Sequence, residues 1–262
     1  MKNLLSVFFV ILLAQAFAFS QVDLQKPFQD CNLQGSITIY DYKNKKWIFS
    51  DEKDSQRETL PASTFKIINS LIALETGAVK DEKEVLKWDG LKRQVEAWNA
   101  DTDMENAFKN STVWFYVEMA KRIGKDKYKH YLSESIYGNG NLDTGQDNDF
   151  WNYGNFGVSP KNQIKFLRRL YLETLPFSKR SFEIVKRIMI EEKTDNYILR
   201  AKTGWTRFGG NDTGWWVGYV EQKDNVYFFA TRVIKKLETQ NPNFSPCRKE
   251  ITRKILKELK II

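Results

Sequence analysis

Ser63 and Lys66 stand three residues apart in Leu60-Pro61-Ala62-Ser63-Thr64-Phe65-Lys66-Ile67-Ile68, and Leu71, Ile72 and Leu74 extend the apolar run almost to Gly77, a residue suited to a helix C-cap. Three residues is close to one helical turn, so the ammonium and the hydroxyl share a face. A helix this apolar is buried. Dehydration penalises the charged form of lysine, which lowers its pKa and frees an amine able to take a hydroxyl proton. The chemistry implied is a serine nucleophile with a lysine base. Spacing alone does not carry that reading, because Ser50 and Lys53 repeat it in a charged stretch with no apolar helix behind.

Three later stretches hold groups able to join this pair. Lys202-Thr203-Gly204 offers a cation, a hydroxyl and a glycine beside which a ligand can lie close to the backbone, although it also reads as an ordinary strand end. Ser111-Thr112-Val113 opens a helix, where serine is a common N-cap. Tyr137-Gly138-Asn139-Gly140 is a turn, and its first three residues recur at Tyr153-Gly154-Asn155. Composition removes other chemistries. The single histidine, His130, lies in the basic segment Lys127-Tyr128-Lys129-His130 and reads as a helix-surface residue, a poor setting for a serine-histidine triad. A catalytic zinc needs several such ligands, so no metal site is expected.

The elements that must position these groups follow from periodicity. Gly35 to Tyr40 alternates and leads through Lys43-Asn44-Lys45 into Trp47-Ile48-Phe49, a β-hairpin. From Ser63 to about Glu192 the chain is predicted helical, with helices over Leu91 to Trp98, Ser111 to Gly124, Lys127 to Leu132, Pro160 to Leu172 with Ser159 as N-cap, and Ser181 to Glu191. Strands return at Tyr197 to Lys202, Gly214 to Glu221 and Val226 to Val233, and a basic amphipathic helix, Arg248 to Lys260, closes the chain. This implies an α+β fold: a mainly antiparallel sheet built from both chain ends, about 21–60 plus 195–262, flanked by helices, with a helical subdomain over about 61–194 inserted. Ser63 falls where sheet and insertion meet, and a cleft between two such layers is where a ligand pocket is expected.

Residues 1–20 read as a secretory signal peptide: Lys2 is the only charged side chain, Leu4 to Leu13 is apolar, and Ala16 and Ala18 are small. Cleavage after 18 or after 20 fits equally, and Cys31 lacks the preceding residues expected of a lipid-modified cysteine. The apolar run is too short to span a membrane. Its removal takes the net charge from +8 to +7. That charge is well mixed, which favours solvated faces over a nucleic-acid stripe. Residues 21–262 suit a single catalytic unit. Cys31 and Cys247, near opposite ends, fit either a disulfide, which an exported chain permits, or two separate buried thiols.

The order of the signatures, Ser63-x-x-Lys66, Ser111-x-Val113, Tyr137-Gly138-Asn139 and Lys202-Thr203-Gly204, together with Lys87-Trp88-Asp89-Gly90, Asp149-Phe150-Trp151 and Gly214-Trp215-Trp216-Val217-Gly218, resembles the class D, or oxacillinase-type, serine β-lactamases of the penicillin-recognising superfamily. Essentially the whole mature chain takes part. The resemblance implies that Ser63 is acylated by the lactam, and that Lys66, as a carbon dioxide carbamate, is general base for acylation and deacylation. Trp151 would donate its indole N–H to the carbamate, although its ordinary reading is a core aromatic. Backbone amides of Ser63 and Trp205 would form the oxyanion hole, and Ser111 and Lys202 would pass a proton to the lactam nitrogen. Thr203, Gly204, Arg248, Val113 and Tyr137 would bind substrate. No other cofactor is implied. The partners implied are β-lactam small molecules, not nucleic acid or a membrane span, in a monomer or homodimer of the bacterial periplasm. The first Tyr-Gly-Asn copy is assigned because in this family the motif precedes the tryptophan. One departure is Asn152, where leucine is common; a polar group there could admit water to the carbamate. Asn110-Ser111-Thr112 is formally a glycosylation acceptor, but a glycan would block the cleft, which favours a bacterial source.

Two other functions fit parts of the pattern. An acylated, non-hydrolysing sensor or transpeptidase-like protein shares the signatures, and a basic envelope-binding protein could carry a vestigial site. Turnover of a reporter lactam, a stable acyl-protein, or no labelling of Ser63 separates the three.

Overall fold

A computed structural model describes residues 22–143 and 148–262. The expected signal peptide, 1–20, lies outside the described residues. A six-stranded, fully antiparallel sheet runs in the order β2-β1-β6-β5-β4-β3. Its strands are β1 (Gln34–Asp41), β2 (Lys46–Phe49), β3 (Ile190–Lys193), β4 (Tyr197–Phe208), β5 (Asn211–Gln222) and β6 (Val226–Lys236). The N-terminal hairpin joins the C-terminal strands through β1 and β6, paired from Gln34–Ile234 to Asp41–Tyr227.

Helices cover both faces. On one side lie α1 (Lys26–Asp30) and α8 (Phe244–Glu258). The other carries α2 (Lys66–Glu75), α3 (Met104–Lys109), α4 (Val113–Ile123), α5 (Lys125–Ser135), α6 (Pro160–Tyr171) and α7 (Lys179–Ile188). Period-2 alternation divides β5 between two cores. Trp215, Val217 and Tyr219 face the helical insertion, while Trp216 and Val220 face α1 and α8. Double coverage explains why Gly214 to Gly218 has no polar alternation.

From Phe65, which caps α2, through Ala73 every residue is buried. Each large apolar side chain there contributes about 1.5–3 kcal/mol by leaving water, which offsets the cost of carrying Lys66 inside the same helix. Of the two possibilities for the cysteines, the structure has a disulfide, Cys31 to Cys247, closing 216 residues and tying the end of α1 to the first turns of α8.

Several expected elements differ. Leu91 to Trp98 is not a helix: only Glu96–Trp98 forms a 3-10 turn. Leu91 and Val95 are exposed, and side chains hold the backbone instead, with Leu91 N donating to Asp89 Oδ1 and Arg93 N to Asn99 Oδ1. The helix expected over Ser181 to Glu191 starts at Lys179, capped by Ser178, and gives way after Ile188 to the edge strand β3. The short helices α1 and α3 fall outside the expected pattern. Ser159 does cap α6, its Oγ accepting from Asn162 N at 3.1 Å.

Removing the disulfide frees both chain ends in the unfolded state. Cys31→Ser is expected to lower stability by about 2–5 kcal/mol, read as a lower denaturant midpoint with an unchanged native circular dichroism spectrum. An unshifted midpoint would mean that the bond does not restrain the fold.

Candidate active site

The candidate nucleophile lies on a short 3-10 turn, Ala62–Phe65, that runs directly into α2. Lys66 is fully buried, and its Nζ donates to Ser63 Oγ at 3.1 Å. Nζ also sits 4.8 Å from the centroid of the Tyr116 ring. Burial drives the Lys66 pKa below the usual lysine range, and the Asp149 carboxylate partly opposes that shift. Asp149 moves the other way: burial pushes its carboxyl up, against Asn152 and Lys66.

Behind the turn, Phe65 stacks on Trp151 with centroids 5.1 Å apart and planes 7° from parallel. Trp151 O accepts from Ala62 N at 2.9 Å. The Trp151 indole N–H is fully buried and has no hydrogen-bond partner among the described residues. A buried donor without an acceptor costs about 1–3 kcal/mol, so this group is suited to an acceptor that the protein chain does not itself provide.

Strand β4 forms the opposite wall. Gly204 lets it approach the nucleophile's turn, for a Cβ there would lie 2.8 Å from Pro61 O and 3.2 Å from Thr64 N. Thr203, Gly204 and Trp205 therefore line the same cleft as Ser63. Lys202 Nζ donates to Ser111 Oγ and to Thr203 O. Burial takes the Lys202 pKa well below the usual range, reinforced by the nearby Lys66, Arg248 and Lys249 charges. Ser111 is not a helix cap: Thr112 takes that position, and Ser111 adopts a left-handed conformation at φ +55° between α3 and α4. Val113, at the first turn of α4, lines the cleft beside it.

Arg248 reaches the cleft from α8. It donates to Gly204 O at 2.6 Å and to Ser245 O and Oγ at 2.9 and 2.8 Å. A guanidinium has five N–H donors, so two remain for a bound anion. Burial lowers its pKa to about 10, which still leaves it cationic at neutral pH.

Tyr137 is the one expected substrate contact that the structure places elsewhere. It is buried behind Phe65, with its hydroxyl donating to Gln163 Oε1 at 3.1 Å, and does not line the cleft. Gln163 in turn donates to Thr64 Oγ1 at 2.8 Å, so Tyr137 braces the nucleophile's turn from inside. The second Tyr-Gly-Asn copy reaches the surface: Tyr153 is exposed at the mouth and meets Phe208 edge-on at 6.3 Å. The cleft, of about 1410 Å³, also takes in Asp149, Asn152, Thr206, Trp98 and Trp114, none of which carries a sequence-level assignment to substrate. Asp149 and Asn152 lie within three residues in the Asp149-Phe150-Trp151-Asn152 stretch that the sequence already sets apart, but that stretch by itself assigns neither a place in the cleft.

The penicillin-binding protein transpeptidase domain family matches residues 34–257. A relative from Klebsiella pneumoniae, β-lactamase OXA-48, is 40% identical over 90% of this chain and 87% of its own length. β-Lactamase OXA-3 from Pseudomonas aeruginosa is 42% identical over 80% of this chain and 76% of its own. A crystal structure of a class D β-lactamase from Sebaldella termitidis superposes with a TM-score of 0.88 at 49% identity, covering 93% of this chain and 98% of that one. Fold and cleft thus define a penicillin-recognising transpeptidase-type domain. Within that superfamily, the chain belongs to the class D, oxacillinase-type β-lactamase family.

Gly204→Ala tests the approach of the two walls. Misplacing a reacting group by about 1 Å can cost about 100-fold in rate, so labelling of Ser63 by a fluorescent penicillin is expected to slow by about that factor. An unchanged labelling rate would separate the glycine from the chemistry.

Proposed function

We propose that this chain hydrolyses β-lactam antibiotics through an acyl-enzyme on Ser63. The observation that carries the reading is the dehydrated Lys66 amine, 3.1 Å from the Ser63 hydroxyl, with the buried Trp151 N–H behind the same turn lacking a partner among the described residues. As Ser63 Oγ attacks the strained carbonyl, its proton leaves toward the Lys66 side chain. Backbone N–H groups of Ser63 and Trp205 receive the developing oxyanion; one such donor is worth about 3–4 kcal/mol. Ser111 Oγ and Lys202 Nζ, already hydrogen-bonded, pass a proton to the departing lactam nitrogen. Thr203 and the two free N–H groups of Arg248 bind the substrate carboxylate, whose planar pair of oxygens suits a guanidinium fork.

The residues fit a carbon dioxide carbamate on Lys66. The carbamate needs a neutral amine, which burial favours, and an acceptor-rich group there would give the Trp151 N–H its partner. Once formed, it supplies a carboxylate-type base at Ser63. The rest of the proposal is an export signal over residues 1–20, a single catalytic unit over 21–262 and a bacterial periplasmic location. Among the described residues no helix is long and apolar enough to cross a membrane.

The test is intact-protein mass spectrometry after brief exposure to penicillin, with and without a chase, in degassed and bicarbonate-supplied buffer. Ser63 is expected to acylate and then clear. Protonating Lys66 blocks carbamate formation, so turnover falls as pH drops and in degassed buffer, and bicarbonate restores it. Turnover indifferent to both would overturn the carbamate, and an acyl-protein that never clears would favour the sensor.

A further inference from the structure

We propose that Asp149 and Asn152 form a second base station for deacylation, in which the Asp149 carboxylate takes a proton from the water that attacks acyl-Ser63 and the Asn152 carboxamide holds that water. This rests on the acyl-Ser63 reading above. Both side chains are largely buried, 8% and 7% exposed, and both line the cleft with Ser63. Asn152 Nδ2 donates to Asp149 Oδ1 at 2.8 Å. That bond orients the pair, and among the described residues it leaves the carboxamide oxygen and Asp149 Oδ2 as acceptors, the set a reactive water needs.

The segment is fixed at both ends of the site. Ala62 N holds Trp151 O at 2.9 Å on the nucleophile's side. Thr206 Oγ1 holds Asn152 O at 2.6 Å on the β4 side. Backbone N–H groups of Asn152 and Tyr153 close back on Asp149 O at 3.1 and 3.2 Å. Among the described residues no cation lies within ion-pair distance of Asp149; Lys66 on α2 is the charge it feels most, Arg248 on α8 and Tyr153 line the same cleft, and Lys202 on β4 adjoins it through Ser111. Burial lifts the Asp149 pKa toward neutrality, where a general base works best.

Water gives a proton to Asp149 Oδ2 while its oxygen bonds to the ester carbon, and the carbonyl electrons move onto the oxygen facing the Ser63 and Trp205 amides. Collapse breaks the bond from that carbon to Ser63 Oγ. The proton then passes from Asp149 to Ser63 Oγ, restoring both groups, and the product leaves as a carboxylic acid. Neighbouring negative charges oppose each other's ionisation, so Asp149 serves when Lys66 bears no carboxylate. Asn152 then has a use: where leucine would exclude water, the carboxamide places it.

The experiment follows decay of penicilloyl-Ser63 by intact mass spectrometry in wild type, Asp149→Asn, Asp149→Glu and Asn152→Leu, each in degassed and bicarbonate-supplied buffer. Thermal midpoints and the ¹³C NMR signal of labelled bicarbonate on Lys66 are recorded alongside. In degassed buffer, Asp149→Asn is expected to clear about 100-fold more slowly than wild type, with a clearly smaller loss when bicarbonate is supplied. Asp149→Glu should restore part of the rate, and Asn152→Leu should slow clearance selectively in degassed buffer. Equal losses in both buffers, or none in either, would overturn the proposal. A wild type that never forms acyl-Ser63 overturns both readings, whereas a missing ¹³C signal with the Asp149→Asn loss intact removes the carbamate and supports the second station.

Discussion

One dehydrated amine governs the structure of this site. Lys66 is buried as completely as Phe65, Ile67 and Ile68 beside it, yet it alone among them carries an ionisable group. A lysine ammonium inside protein is strongly penalised, and here the penalty is spread over a helix whose other buried residues are almost all apolar. The Tyr116 ring face at 4.8 Å gives the residual charge some compensation, and the Tyr116 hydroxyl is occupied by Ser70. With the aromatic stack of Phe65 on Trp151 closing the space behind, the amine has Ser63 Oγ as its hydrogen-bond acceptor among the described residues. Dryness therefore sets both the position and the basicity of the lysine.

The same dryness explains the charge arrangement of the cleft. Lys66, Lys202 and Arg248 come from three separate elements and press on one another, so that Lys202 is depressed by burial first and by its cationic neighbours second. Arg248 escapes by spending three N–H groups on Gly204 and Ser245. A cleft with a buried guanidinium beside two dehydrated lysines is favourable for an anionic ligand, because the ligand's charge replaces lost solvation. The cationic wall is itself secured by β4 and by α8, and the Cys31–Cys247 bond ties α8 to the start of the described chain.

The fold was largely legible because its main signals are periodic. The N-terminal hairpin, the three long C-terminal strands, α2 and α6 all follow from alternation, apolar stripes or a cap-proline pair. Leu91 to Trp98 misled because apolar residues at helical spacing met no partner surface, and Asp89 and Asn99 hold the backbone instead. Strand β3 was hidden because Ile190-Glu191-Glu192-Lys193 is a short edge with a register shift, and its composition continues that of α7. For the site, Ser63, Lys66, Ser111, Lys202, Trp205 and Arg248 converge on one cleft, as does Val113, whereas Tyr137 does not. Two identical tripeptides cannot be ranked by motif alone: burial sends one tyrosine inward to Gln163 and leaves the other at the mouth.

What a sequence conceals most thoroughly is backbone strain, and part of it sits at the cleft. Ala62, Ser111 and Asn148 all adopt positive φ without being glycine, and they respectively precede Ser63, carry the Ser111 hydroxyl and precede Asp149. A left-handed non-glycine residue costs about 1–2 kcal/mol, most for alanine, which has no side-chain hydrogen bond to offset it. Such conformations persist only where surrounding contacts over-determine them. Here those contacts are the bond from Ala62 N to Trp151 O and the bond from Lys202 to Ser111. Each ties a strained residue to an element remote in sequence. Local propensity consequently argues against the conformations that aim these side chains, and only the assembled sheet and insertion make them the lower-energy choice.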